Sequence, residues 1–409
     1  MRHWLRTLLL AALTLMQGCG GGGGADTAAA PVAASTNTSV PAAANVHPIS
    51  VDSGLANNIN LAFTKVTLCA PGSSSNCQTI DNIVVDTGSS GLRVLSSALA
   101  ASLALQQQVD ANGTALIECA QFVDGYTWGP VKLADLKLAG EQASSLPIQV
   151  IGDPNYPGVP ARCAATGASR NSVQDLRANG ILGVSVFRQD CGSACARPNN
   201  QGMYYACSSP FVCLQTSVAL AQQVQNPVAM FAVNNNGVLI QLPSVPAGGA
   251  ASVSGALVFG IGTQANNGLG AARVVGVDPG NGNFTTLYKG SSYTASFFDS
   301  GSNGLFFSDN ITVCDSTTAA PGFYCPASTI NGSAALQGRN GASATVDFSI
   351  ANAGSLVAAS PGFAAYGNVG APFVANSFNW GLPFFYGRNV YTAIEGAGTP
   401  AGPGPYVAF

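Results

Sequence analysis

The sequence predicts an all-β protein built from two related halves. Three observations carry that prediction. Short apolar runs bounded by Gly, Asn, Pro and Ser dominate the body of the chain, the pattern of strands joined by turns. Long helical periodicity is scarce. One strand-and-turn segment is written twice, first as Ile83-Val84-Val85-Asp86-Thr87-Gly88-Ser89-Ser90-Gly91-Leu92-Arg93-Val94. The second copy is Ser296-Phe297-Phe298-Asp299-Ser300-Gly301-Ser302-Asn303-Gly304-Leu305-Phe306-Phe307. Gly makes up 49 of 409 residues, so matching glycines alone would be weak evidence. The shared Asp, hydroxyl residues, Leu and flanking apolar runs make it stronger. A single Asp in a turn usually serves the turn, because its side chain bonds nearby backbone. Two Asp on the same turn, one in each half, predict carboxylates that face each other.

The chain begins with an address. Arg2 and Arg6 precede the apolar run 8–16, and Gly18-Cys19 ends residues 1–19, which read as a secretory signal. The apolar run is too short to span a bilayer. Met16-Gln17-Gly18-Cys19 resembles a bacterial lipobox with Cys19 as the lipidated residue; cleavage without lipidation is the alternative. Residues 20–48 are rich in Gly, Ala, Ser, Thr and Pro, a composition that cannot bury a core, and are expected to be a disordered linker. Folded structure is expected from Ile49. The predicted location is the periplasm or cell envelope, with the membrane reached only through a lipid anchor.

Composition narrows the function. Only 8% of residues are charged and the net charge is -3, with no basic patch, so nucleic acid is excluded as a partner. Eleven cysteines less Cys19 leave ten, an even number that predicts disulfides in an exported chain. Cys69 with Cys77 and Cys314 with Cys325 can close small loops. Cys191, Cys195, Cys207 and Cys213 cluster, leaving Cys119 for Cys163; a zinc site is the rival for the cluster, against loose spacing. The two histidines, His3 and His47, fall in the expected signal and linker. That removes an imidazole base from the folded part, and with it Ser-His-Asp and Cys-His mechanisms. No Gly-x4-Gly-Lys-Ser/Thr loop is present. Carboxylates remain as the natural acid and base.

Strands are expected at 61–68, 148–151, 229–233 and 256–259, and short helices at 97–108 and 218–225. A second repeated element supports the two halves. Asn179-Gly180-Ile181-Leu182-Gly183 follows the first Asp turn, and Asn379-Trp380-Gly381-Leu382-Pro383 follows the second. Between the first turn and Ile181 lies Gln121-Phe122-Val123-Asp124-Gly125-Tyr126-Thr127-Trp128-Gly129, then the run 131–140. Asp124-Gly125 between apolar runs predicts a hairpin.

Asp86-Thr87-Gly88-Ser89-Ser90 and Asp299-Ser300-Gly301-Ser302 resemble the two active-site turns of the pepsin-like aspartic proteases. The resemblance covers roughly residues 51–409 in order. It implies a bilobal all-β fold, with lobes 51–262 and 263–409 and a cleft between them floored by Asp86 and Asp299. Ile181-Leu182-Gly183 is similar to the family's apolar-apolar-Gly strand; in Trp380-Gly381-Leu382-Pro383 the Gly is read as displaced. The 121–140 hairpin is similar to the family's flap, with Phe122 where the family has Tyr and Tyr126 or Trp128 as substitute donors. The Cys-rich segment 188–215 has no counterpart. The whole pattern also resembles an uncharacterised family of exported bacterial (lipo)proteins.

By this resemblance Asp86 and Asp299 are the catalytic pair. Thr87 and Ser300 would lock the turns together, Gly88 and Gly301 would let them approach, and Ser89 and Ser302 would bond the outer carboxylate oxygens. The implied activity is peptide-bond hydrolysis by an activated water, without cofactor or metal. The implied partner is a peptide or protein substrate in the cleft, and the chain is expected to be a monomer. The alternative is a pepsin-like module that binds a peptide or glycan at the cell surface without turnover.

Overall fold

The computed structural model describes residues Thr36–Asn37, 43–198 and 201–409. The protein is mostly β, as its strand-and-turn pattern predicts. Six strands close on themselves. Ala62–Cys69 pairs with Cys77–Asp86, which runs parallel to Gly180–Val184. That strand pairs antiparallel with Ser90–Leu95, which runs parallel to Glu141–Ile151. Glu141–Ile151 pairs with the long strand Gly125–Leu138, which returns to Ala62–Cys69. Closure removes exposed edges from this ring. Its interior is aliphatic, with Val66, Leu68, Ile83, Val85, Leu92, Val94, Leu136 and Ile148 all buried.

A second sheet of seven strands has the order Ser343–Ile350, Ile330–Gln337, Phe284–Tyr288, Ser291–Asp299, Phe378–Gly381, Leu305–Phe307, Gly370–Ala371. Its core is aromatic. Phe378 stacks on Phe307 at 4.5 Å and on Trp380 at 4.2 Å between ring centroids. Such pairs add about 0.5–1.5 kcal/mol each beyond their burial.

The two sheets do not divide at residue 262. Val46–Val51, Val253–Phe259, Gly237–Leu242, Arg388–Ala393, Tyr406–Ala408 and Val274–Gly276 pair in that sequence, starting from Ala62–Cys69. The chain's last strands therefore return to the sheet of its first ones. Folded structure also begins earlier than Ile49. Val46–Val51 carries His47, whose Nε2 lies 2.8 Å from the Lys65 carbonyl and whose ring stacks on Phe259. His47 thus belongs to a strand rather than to a linker. Burial pushes its pKa below the ordinary value, partly offset by the Lys65 hydrogen bond.

Both expected helices are short 3-10 turns, Ser96–Ala98 and Leu220–Gln222. In the first stretch the strand network competes successfully for the backbone. Gln108 N–H donates to Val131 O and Leu116 N–H to Gln108 O, both 2.9 Å. The longest helix among the described residues, Ala353–Ala359, starts at Asn352, whose side chain accepts from Ser355 N–H. All ten cysteines from Cys69 onward pair as Cys69–Cys77, Cys119–Cys163, Cys191–Cys195, Cys207–Cys213 and Cys314–Cys325. The clustered cysteines are consumed by one another, which overturns the zinc alternative. Five disulfides mark an oxidising compartment outside the cytoplasm. Among the described residues no helix is long and apolar enough to cross a membrane. Cys19 and the expected signal lie outside the described residues.

Candidate active site

Each Asp turn folds by the chemistry of its own residues. The buried run Ile83-Val84-Val85 delivers Asp86 to the end of its strand. Gly88 N–H donates to Asp86 Oδ1 at 2.7 Å and Ser89 Oγ donates to Asp86 Oδ2. The second turn repeats this, with Gly301 N–H on Asp299 Oδ1 at 2.9 Å and Ser302 Oγ on Asp299 Oδ2 at 2.6 Å. An Asp bonded to backbone two residues on is what holds such a turn.

The turns are then bonded to each other. Thr87 N–H donates to Ser300 Oγ at 3.1 Å, and Ser300 Oγ donates to Val85 O at 2.7 Å. Reciprocally, Ser300 N–H donates to Thr87 Oγ1 at 3.0 Å, and Thr87 Oγ1 donates to Phe298 O at 3.3 Å. All four bonds are buried, so breaking any of them strands a polar group away from water. The glycines make the approach possible. A Cβ on Gly88 would sit 2.8 Å from Asp299 Cγ, and one on Gly301 would sit 2.9 Å from Asp86 Cγ.

The Asp86 and Asp299 carboxyls are neighbours: a Cβ on Gly301 would lie 2.8 Å from Asp86 Oδ1 and 3.2 Å from Asp299 Oδ1. Burial pushes the Asp86 carboxyl up from 3.8 to about 8, and the Asp299 charge beside it adds to the rise. Two carboxyls in contact cannot both ionise easily, so the pair retains one proton over a wide pH range.

The strand behind each turn follows one rule. Gly183 lies opposite Asp86 and Gly381 lies opposite Asp299, both in parallel register. The second glycine is therefore in place; the reading of a displaced Gly381 is corrected. What differs is the pair before it, Ile181-Leu182 in one strand and Asn379-Trp380 in the other. Asn379 is 2% exposed, and its Nδ2 donates to Asp299 Oδ2 at 3.1 Å and to Ser302 Oγ at 2.8 Å. Sequence reasoning passed over Asn379. The signal was a lone polar residue between Phe378 and Trp380 in an otherwise apolar strand.

The hairpin expected between the first turn and Ile181 exists. Ala115–Phe122 pairs with Gly125–Leu138, and Phe122 faces Gly125, so Val123 and Asp124 make the turn, one residue earlier than expected. Its aromatics divide between faces. Tyr126 and Trp128 are buried with the Cys119–Cys163 disulfide and Tyr205, and the Trp128 indole N–H donates to Tyr156 O at 2.9 Å. That packing places both on one face of the hairpin. Phe122 is on the other face, with the Arg93 guanidinium 5.8 Å from its ring centre.

Arg93 ties this hairpin to the first turn. Its Nη1 donates to Ser90 O at 2.8 Å, and its Nη2 reaches Glu118 at 2.5 Å and Asp190 at 3.2 Å. Burial raises Asp190 well above the ordinary carboxylate value, and the Glu118 charge adds to it. The Tyr204 hydroxyl donates to Asp190 Oδ1 at 2.7 Å. This buried network was not read from the sequence, since its members are far apart in the chain. Among the described residues, His, Cys, Asp and Glu form no group of three or more placed to hold a metal ion.

The comparisons with known proteins are sparse. No curated protein matches the sequence. A family profile matches residues 41–409, nearly all of the described chain, and the protein belongs to that family, described as protein of unknown function (DUF3443).

Proposed function

We propose that this protein is a pepsin-like aspartic endopeptidase, with Asp86 and Asp299 as its catalytic pair at the floor of a cleft between two lobes. One observation carries the reading: two Asp turns, far apart in sequence, meet carboxyl to carboxyl and are cross-bonded through Thr87 and Ser300. A structural pair of carboxyls would be expensive to bury this way, because burial penalises charge and contact penalises it again. Such expense concentrates at functional sites.

The chemistry follows from a shared proton. The ionised carboxyl takes a proton from water as the water oxygen bonds to the peptide carbonyl carbon. The protonated carboxyl gives its proton to the carbonyl oxygen, leaving a tetrahedral diol. The carbon–nitrogen bond then breaks: the amine leaves with a proton from the pair, and one diol hydroxyl gives its proton back to the pair as the carboxylic acid forms. No electron transfer or metal is needed for this sequence.

A second reading is favoured by Phe122. It offers no hydroxyl from the hairpin, and the Tyr126 and Trp128 rings pack on the hairpin's opposite face with the Cys119–Cys163 disulfide. A cleft that binds an extended peptide or glycan without cleaving it would need no such hydroxyl. The test is incubation of the oxidised protein with a diverse peptide library from acidic to neutral pH. Cleavage that disappears in both Asp86→Asn and Asp299→Asn supports the endopeptidase. Cleavage that survives both substitutions refutes the proposed pair, and binding without cleavage supports the second reading.

A further inference from the structure

The two halves of the site are nearly symmetric, so whatever breaks the symmetry decides which carboxyl holds the proton. Ile181 and Asn379 occupy equivalent places. Each sits two residues before the glycine that faces its Asp, paired with Arg93 and Phe306 respectively. Ile181 shows that an apolar side chain satisfies the strand. Asn379 is harder to explain by folding. It is buried in a central strand, and its Oδ1 has no hydrogen-bond partner. An orphaned buried carbonyl oxygen is destabilising, and native structures hold few of them.

Its amide nitrogen, by contrast, is fully used. Asp299 accepts three donors: Gly301 N–H, Ser302 Oγ and Asn379 Nδ2. Asp86 accepts two, Gly88 N–H and Ser89 Oγ. The amide orientation follows from its partners. Ser302 Oγ already gives its proton to Asp299, so it can only accept from Asn379, and both neighbours of Nδ2 are oxygens. An extra N–H donor stabilises the charged form of the carboxyl that receives it. Solvation points the same way, because Asp299 is half-buried where Asp86 is buried.

We propose that Asn379 is a positioning residue that makes Asp299 the anion of the pair and leaves the shared proton on Asp86. This rests on the endopeptidase reading and gives it a direction: Asp299 takes the proton from the attacking water and Asp86 protonates the carbonyl oxygen. Asp299 is the one charged group acting on Asp86. Gly301, Ser302 and Asn379, which bond Asp299, do not titrate in the working range.

The test titrates the pair directly, in the oxidised full-length protein labelled with carbon-13 at aspartate Cγ. The Asp86 and Asp299 signals are assigned by their loss in Asp86→Asn and Asp299→Asn. At mildly acidic pH the wild type should show a protonated Asp86 and an ionised Asp299. Asn379→Leu keeps the shape and removes the donor. It should move the first ionisation of the pair up by about one pH unit, the low end for a hydrogen bond to a charged group. The second ionisation should stay in place, because Asn379 bonds Asp299 on both sides of that step. A merely structural Asn would alter stability and leave both ionisations alone. Adding Ile181→Asn to Asn379→Leu should lower the first ionisation again, now with the proton on Asp299. If Asn379→Leu does not fold, Ile181→Asn alone should spread the proton over both signals. A wild-type proton on Asp299, or a folded Asn379→Leu that titrates as wild type, would overturn the proposal. None of these readouts requires cleavage. A protein that titrates as expected but hydrolyses no peptide refutes the enzyme reading alone.

Discussion

Asp86 makes a stability prediction that needs no substrate. In the folded chain its proton is held up to about 8, against 3.8 for an ordinary Asp. The unfolded chain ionises Asp86 above roughly pH 4. Between those values folding takes up a proton, so this group's contribution is fully present below pH 4 and is lost as pH rises toward 8. Each unit of displacement is about 1.4 kcal/mol, which sets a ceiling of about 6 kcal/mol. Water reaching the half-buried Asp299 relaxes part of that, leaving an expected effect of about 2–3 kcal/mol.

Asp86→Asn removes the titration and keeps the shape. Wild type and variant should have matching stability near pH 4, and the variant should be more stable by about 2–3 kcal/mol near pH 8. The assay is urea unfolding at several pH values with disulfides intact, followed by fluorescence of the buried Trp128 and Trp380. Asp190 and His47 also titrate with shifted values, but they do so in both proteins and cancel in the difference. A difference that is constant with pH, or a wild type that gains on the variant as pH rises, would refute the reasoning.

Other expectations follow from the same contacts. Thr87→Val strands the buried Ser300 N–H and should lower stability by about 1–3 kcal/mol and peptide cleavage with it, measured by urea unfolding beside the library assay. Arg93→Met leaves Glu118 and Asp190 without their cation and should lower stability by about 3–5 kcal/mol at neutral pH. Replacing Cys119 and Cys163 together by Ala opens a loop with a sequence separation of 44 residues. For a loop of that length the expected loss in unfolding free energy is about 4 kcal/mol. Cys19→Ala should release the protein from the membrane fraction with unchanged thermal unfolding; retention on the membrane would place the anchor elsewhere.

The parts of the site legible in the sequence were those coded locally. Each Asp turn is built from consecutive residues, and its glycines and hydroxyls are where the turn's own bonds need them. The disulfides closing short loops were legible for the same reason. Asn379 was not, because its relation to Asp299 depends on a parallel pairing that joins residues 80 positions apart. The displaced reading of Gly381 failed similarly: the residues before it changed type while the register did not. The stretch 97–108 is composed like a helix, yet hydrogen bonds from neighbouring strands pull its end into the sheet. Propensity was outvoted by partners the local sequence does not name.

Once the shared frame is fixed, the differences between the halves carry the information. Arg93 and Phe306 hold the same register position after their turns, each opposite the residue two before the facing glycine. Phe306 sits among Phe323 and Phe373, whereas Arg93 is tied by ions to Glu118 on the hairpin and Asp190 beyond it. At this register position the second turn is backed by aromatic packing, which is insensitive to charge. The first is held by a buried ion cluster whose two carboxyls exceed its one cation, with Tyr204 bonding the Asp190 side. A cluster of that kind is stable only while its members stay together, since separating them exposes an unpaired buried charge. Its consequence is that one guanidinium ties the hairpin at Glu118 to the Asp86 turn at Ser90, so the two are braced together through Arg93.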